Sequence, residues 1–149
     1  MTQSSADDDW TYAHIGAQGL RTDIATHGHE LIADEPQDVG GTDAGPDPYG
    51  YLTAALGACT SMTLRLYADR KQWPLQDVVT RVRHSKIHAK DCAECESKEG
   101  RVDLLEREIE LSGPLDEAQT KRLLEIADMC PVHRTLTGEI TVRTRLKGK

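Results

Sequence analysis

The stretch from Asp47 to about Gln72 constrains the fold more than any other part of this chain. Asp47-Pro48 reads as a helix start. An aspartate side chain accepts from the free N–H groups of a first turn, and proline suits the first helical position because its fixed φ is already helical. Leu52, Leu56, Cys59, Thr63 and Leu66 follow at spacings of four, three, four and three, and Ala55, Met62 and Tyr67 widen the stripe. That spacing is one face of a helix. Arg65, Asp69, Arg70 and Lys71 gather near its end, where cations favour the dipole, and Pro74 lies just beyond. A long helix with so wide an apolar stripe must be covered by other elements.

The flanking sequence supplies them. Tyr12 to Ile15, Leu20 to Thr26 and His29 to Ala33 alternate between glycines at 16, 19 and 28, the pattern of an antiparallel meander. Asp34 to Asp47 is rich in turn residues. After the helix, Val78 to Ala89 and Val102 to Leu111 alternate as a pair of strands around a charged loop, Lys90 to Gly100. Asp116 caps a helix from Glu117 to about Met129 whose apolar side is Leu123, Leu124, Ile126 and Ala127. Cys130-Pro131 opens a short helix, and Glu139 to Leu146 closes the chain as a strand. The expectation is one α+β domain over residues 10–149, antiparallel sheets around a long central helix, after an acidic disordered tail at 1–9.

Composition narrows the function. The chain has 149 residues, a formal charge of −7 and no Phe. An acidic chain is a poor match for nucleic acid, which needs clustered Lys and Arg. No apolar run is long enough to span a membrane, and the polar N-terminus lacks the basic and apolar regions of a signal peptide. The expected compartment is the cytoplasm, where thiols stay reduced unless used.

The four cysteines fall into two kinds of setting. Cys130 sits at a helix start beside His133 and Arg134. Unpaired backbone N–H groups there favour the thiolate, the reactive form; as a small residue before a proline it reads equally as packing. Cys59 lies on the apolar helix face, where cysteine is usually packing, but small neighbours (Gly57, Ala58, Thr60, Ser61) leave room for a ligand. Cys92-Ala93-Glu94-Cys95, with His88 four residues earlier, is a zinc half-site, a redox pair or a solvated loop with spare thiols. A closed zinc site needs four ligands.

Gly45-Pro46-Asp47-Pro48 with Leu56-Gly57-Ala58-Cys59, and then Cys130-Pro131-Val132-His133, resemble the two cysteine motifs of the OsmC and organic hydroperoxide resistance family. The element order is similar over Trp10 to Leu146. The resemblance implies an OsmC-like fold, an intertwined homodimer and thiol peroxidase chemistry in oxidative-stress defence, with no bound cofactor. It makes Cys59 the attacking thiol and Cys130 the resolving one, and it implies an arginine from an N-terminal strand beside the thiolate. Arg21 is the only arginine in the first 60 residues and so the candidate. The implied substrate is an organic hydroperoxide, hydrogen peroxide less well, with Leu52, Leu56, Met62 and Met129 around its apolar tail. The implied reductant is an external thiol or dithiol. The chain departs from the family at Tyr49, where hydroperoxide-resistance members carry a glutamate; Asp47 and Glu35 are the substitutes at hand. The rival readings are a non-catalytic small-ligand-binding protein and a zinc-stabilised module using His88, Cys92 and Cys95.

Overall fold

The computed structural model describes residues 9–148; the expected tail lies almost wholly outside them. The chain forms two compact units that divide between Leu52 and Thr53, inside the long helix.

The N-terminal unit is a three-stranded antiparallel meander: β1 (Tyr12–Ile15), β2 (Thr22–Thr26) and β3 (His29–Ala33), in that spatial order. The β2–β3 turn consists of His27 (φ 47°) and Gly28 (φ 82°). Two consecutive positive φ values suit the twist of a tight hairpin, and glycine adopts its share without strain. After β3 the chain wraps around one carboxylate. Asp34 is 2% exposed and accepts from the backbone N–H groups of Glu35 (2.8 Å), Thr42 (3.2 Å) and Ala44 (3.1 Å) and from the Thr42 hydroxyl (2.6 Å). The Thr42 hydroxyl first, and the three N–H groups against the opposing effect of burial, hold its pKa at about 2. This loop delivers Asp47, whose Oδ1 accepts from Gly50 N–H at 2.6 Å, the expected helix cap. Tyr51 donates its hydroxyl to the Ile32 carbonyl at 2.6 Å.

The long helix α1 spans Pro48–Lys71. Gln72 then turns left-handed (φ 56°) and Trp73 N–H returns to the Ala68 carbonyl, which ends it. In the C-terminal unit it packs against a hairpin of β4 (Asp77–His88) and β5 (Arg101–Ser112), with Val82 opposite Arg107 and Thr80 opposite Ile109. Ser61 Oγ lies 2.8 Å from Thr80 Oγ1 across that contact. α2 (Glu117–Ala127) opens with the expected Asp116 cap, completed as a reciprocal box by Gln119. α3 (Pro131–Thr137) has Cys130 as its cap and proline at its first position. The core is Leu64, Ala68, Leu75, Leu123, Ile126 and Ala127, with Tyr67, Trp73, Val78 and Ile109 packed on it. No helix among the described residues is long and apolar enough to cross a membrane.

Three expectations fail. The buried row of α1 is Leu56, Thr60, Leu64 and Ala68, whereas Met62 (65% exposed) and Leu66 (71%) face outward. Leu124 is exposed, because only Leu123, Ile126 and Ala127 of α2 reach the core. Residues 139–148 form no strand. Their alternation is genuine, but no edge within the described residues takes their hydrogen bonds, and Ile140, Val142 and Leu146 stay exposed.

Candidate active site

Four elements converge on the Cys130 sulfur. α3 contributes its cap geometry: the cysteine side chain accepts from His133 N–H at 3.3 Å, with Val132 N–H also directed at it. α1 contributes Cys59, whose side chain lies close enough to the Cys130 sulfur to favour its ionised form, and Thr60, whose Oγ1 lies 3.8 Å from it. The turn after α2 contributes Ala127, whose carbonyl accepts Cys130 N–H. β5 contributes Arg107. Its Nη1 donates to Thr60 Oγ1 (3.0 Å) and to the Ala127 carbonyl (3.2 Å), and its Nη2 donates to Asp128 Oδ1 (2.8 Å).

Burial pushes the Cys130 thiol up, since a thiolate in a dry setting loses its water. The His133 N–H, the Cys59 side chain, the Thr60 hydroxyl and the Val132 N–H outweigh it and leave the thiol below its ordinary value. Cys130 is wholly buried and Cys59 half-buried; both are free thiols. A small molecule from solvent therefore reaches Cys59 more readily. Two free thiols close together, one of them reachable from solvent, can undergo thiol oxidation and closure to a disulfide.

The other expected site residues fall in both units. Arg21 belongs to the N-terminal unit, where its Nη2 lies 3.4 Å from Asp23 Oδ1 with both side chains more than half exposed. Leu52 also belongs to that unit and is half-buried, Leu56 is buried, and Met62 and Met129 are exposed. An open cavity of about 750 Å³ lies along the β4–β5 hairpin, with Arg81, Val82, Ile87, Cys92, Leu104 and Arg107 among its lining residues. It contains none of the four apolar residues expected to line a substrate pocket. Asp47, a candidate stand-in for the family glutamate, has Oδ1 engaged by Gly50 N–H.

The zinc alternative meets a direct obstacle. Cys92 and Cys95 are joined as a disulfide, so neither is a spare thiol or a thiolate ligand beside His88. No group of three metal-binding side chains occurs among the described residues.

Sequence reasoning missed Thr60 and Arg107. The signal for Arg107 was present: it occupies the inward alternation of β5, between Leu105 and Ile109 and opposite Val82, where an apolar residue is expected. A guanidinium on an inward face needs buried acceptors, and such acceptors mark a built polar site.

No curated protein matches this chain. The structure resembles the OsmC-like protein of Mycoplasma pneumoniae (TM-score 0.68, 19% identity, covering 93% of this chain and 90% of that one). It also resembles the organic hydroperoxide resistance protein OhrB of Bacillus subtilis (0.59, 20%, 93% and 96%) and an OsmC hydroperoxide resistance protein of Legionella pneumophila (0.62, 19%, 87% and 88%). At these identities the likeness establishes the fold, a mixed α+β arrangement with antiparallel sheets. The model of the OsmC-like protein family matches residues 41–145, which include both Cys59 and Cys130, and the chain belongs to that family.

Proposed function

We propose that this chain is a thiol-dependent peroxidase that reduces organic hydroperoxides, and hydrogen peroxide less well. The observation that carries the reading is the closeness of the Cys59 side chain to the Cys130 sulfur, two thiols remote in sequence. The hydroperoxide resistance proteins that share the fold support it.

In this reading Cys59, the more accessible sulfur, attacks one peroxide oxygen. An S–O bond forms, the O–O bond breaks, and the alkoxide leaves to take up a proton as an alcohol. Cys59 is then a sulfenic acid. Cys130 attacks the Cys59 sulfur, an S–S bond forms, and hydroxide leaves to be protonated to water. An external dithiol reduces the disulfide and is itself oxidised. Arg21 is the proposed cation for the Cys59 thiolate, and Leu52, Leu56, Met62 and Met129 the proposed apolar contacts for the substrate. The working form is a homodimer. Exposed Met62 and Leu66 on α1, and the unpaired alternating segment 139–146, favour it, because a second copy offers both an apolar cover and sheet edges. The cytoplasm is the proposed compartment.

Free thiols are counted before and after one equivalent of cumene hydroperoxide under non-reducing conditions. The proposal expects two thiols lost and one new intramolecular disulfide, both abolished in Cys59→Ser. Full retention of thiols would transfer the case to a ligand-binding role for the same fold. A sedimentation mass matching one 16.5 kDa chain at micromolar concentration would remove the dimer.

A further inference from the structure

We infer that Arg107 is the positioning residue for Cys130: its guanidinium fixes the Thr60 hydroxyl and the Ala127 turn around that sulfur and favours its ionised form. The inference stands on this geometry; its bearing on catalysis rests on the peroxidase reading.

Arg107 is the cation built into the site. Its side chain is 12% exposed, and a guanidinium does not discharge by losing a proton, so burial obliges it to find partners. Each partner bears on Cys130. The Thr60 oxygen accepts from Nη1, which leaves the single Thr60 hydrogen to serve the Leu56 carbonyl at 2.7 Å or the Cys130 sulfur at 3.8 Å. A hydroxyl that accepts from a cation is polarised into a better donor. The Ala127 carbonyl accepts both from Arg107 and from Cys130 N–H, so the guanidinium also fixes the turn that aims the cysteine. Asp128 anchors the far side of the fork at 2.8 Å. Among the described residues Asp128 also faces His133, with its Oδ1 3.9 Å from His133 Nδ1. It is two-thirds exposed, so water screens it while Arg107 acts from within.

The two sulfurs differ in access: Cys130 is closed to solvent, while Cys59 is half-buried and reachable. In the peroxidase reading the ionised Cys130 sulfur attacks the Cys59 sulfenic acid: an S–S bond forms, the S–O bond breaks, and the hydroxide that leaves is protonated to water. No oxidant beyond the peroxide is needed.

The test titrates Cys130 by its ultraviolet thiolate absorbance in a Cys59→Ser protein under non-reducing conditions, where it is the one free thiol. Arg107→Met is expected to raise the midpoint by about one pH unit, the low end for losing a neighbouring opposite charge. Arg107→Gln, neutral but still able to donate to Thr60 and Ala127, shifts it likewise and decides the matter if the Met variant does not fold. Arg107→Lys restores it toward the parent. A purely structural Arg107 would change thermal stability and leave the midpoint in place; coincident midpoints in folded Met and Gln variants overturn the inference. With Cys59 present, the rate of disulfide closure after cumene hydroperoxide is added should follow the same midpoint. A protein that consumes no peroxide defeats the peroxidase reading, while the titration still decides what Arg107 does.

Discussion

Thr60→Val probes the centre of the site with little change in shape. The side chain is wholly buried, and its hydroxyl links three groups: it accepts from Arg107, donates to the Leu56 carbonyl and approaches Cys130. Valine removes every one of those links. The Leu56 carbonyl loses little, because a helix carbonyl keeps its backbone partner one turn on. Arg107 loses an acceptor for one N–H in a buried setting, which costs about 1–3 kcal/mol for a polar group left unsatisfied. A buried methyl in place of a hydroxyl returns about 0.8 kcal/mol. The expected net destabilisation is therefore about 0.2–2 kcal/mol. Urea unfolding followed by Trp73 fluorescence measures it, since Trp73 packs on the core edge-on to Tyr67 at 5.5 Å. The midpoint should fall with the slope unchanged, as a pure stability change requires. The Cys130 titration should rise in parallel, because one donor to the thiolate has gone. A variant as stable as the parent, with an unmoved thiol, would refute the view that the hydroxyl holds the guanidinium and sulfur together.

Other outcomes follow from the same contacts. Because the folded Cys130 thiol ionises below its unfolded value, its contribution to stability is complete above the unfolded thiol range and declines as pH falls through the folded value; the stability of the parent relative to Cys130→Ser should grow between neutral and alkaline pH in denaturant titrations. Asp34→Asn should lower the melting temperature at neutral pH. The gap should close as pH falls from about 3.8 through about 2, the window between its unfolded and folded ionisation; a gap that persists at the acid end would show that shape rather than charge holds the loop. Non-reduced protein should present two alkylatable thiols after unfolding rather than four, since Cys92 and Cys95 are bonded. Replacing both with serine should cost about 2 kcal/mol, the small loop-closure effect of so short a ring. Leu64→Ala, at a wholly buried position in the core, should cost about 2–5 kcal/mol in the same unfolding assay.

Local signals were readable wherever the backbone's own hydrogen-bonding needs dictated a residue type. Asp47 and Asp116 as caps, Pro48 and Pro131 at first helical positions, Gly28 in the hairpin turn and the alternation of β4 and β5 all appear where the chain placed them. That Cys59 lies near Cys130 was suggested by the resemblance of their motifs and not by spacing. What stayed hidden depends on contacts between distant segments. Thr60 reads as an ordinary polar residue on a helix until Arg107 is brought beside it, and Cys92 with Cys95 reads as a zinc half-site, a redox pair or spare thiols on a solvated loop until the hairpin loop closes.

The misassigned face of α1 has a physical origin that bears on assembly. Two apolar rows cross at Leu56. One runs through Cys59, Thr63 and Leu66, the other through Thr60, Leu64 and Ala68. Periodicity cannot choose between rows so close in composition. The β4–β5 hairpin and α2 choose the second, because Val78, Ile109, Leu123 and Ile126 close over Leu64 and Ala68. The first row is then left with Met62 and Leu66 largely in solvent beside a half-buried Cys59. A helix apolar on two sides within a small chain leaves one of them uncovered, and in the proposed dimer that side is the one a second copy would cover, next to the thiol proposed to attack the peroxide.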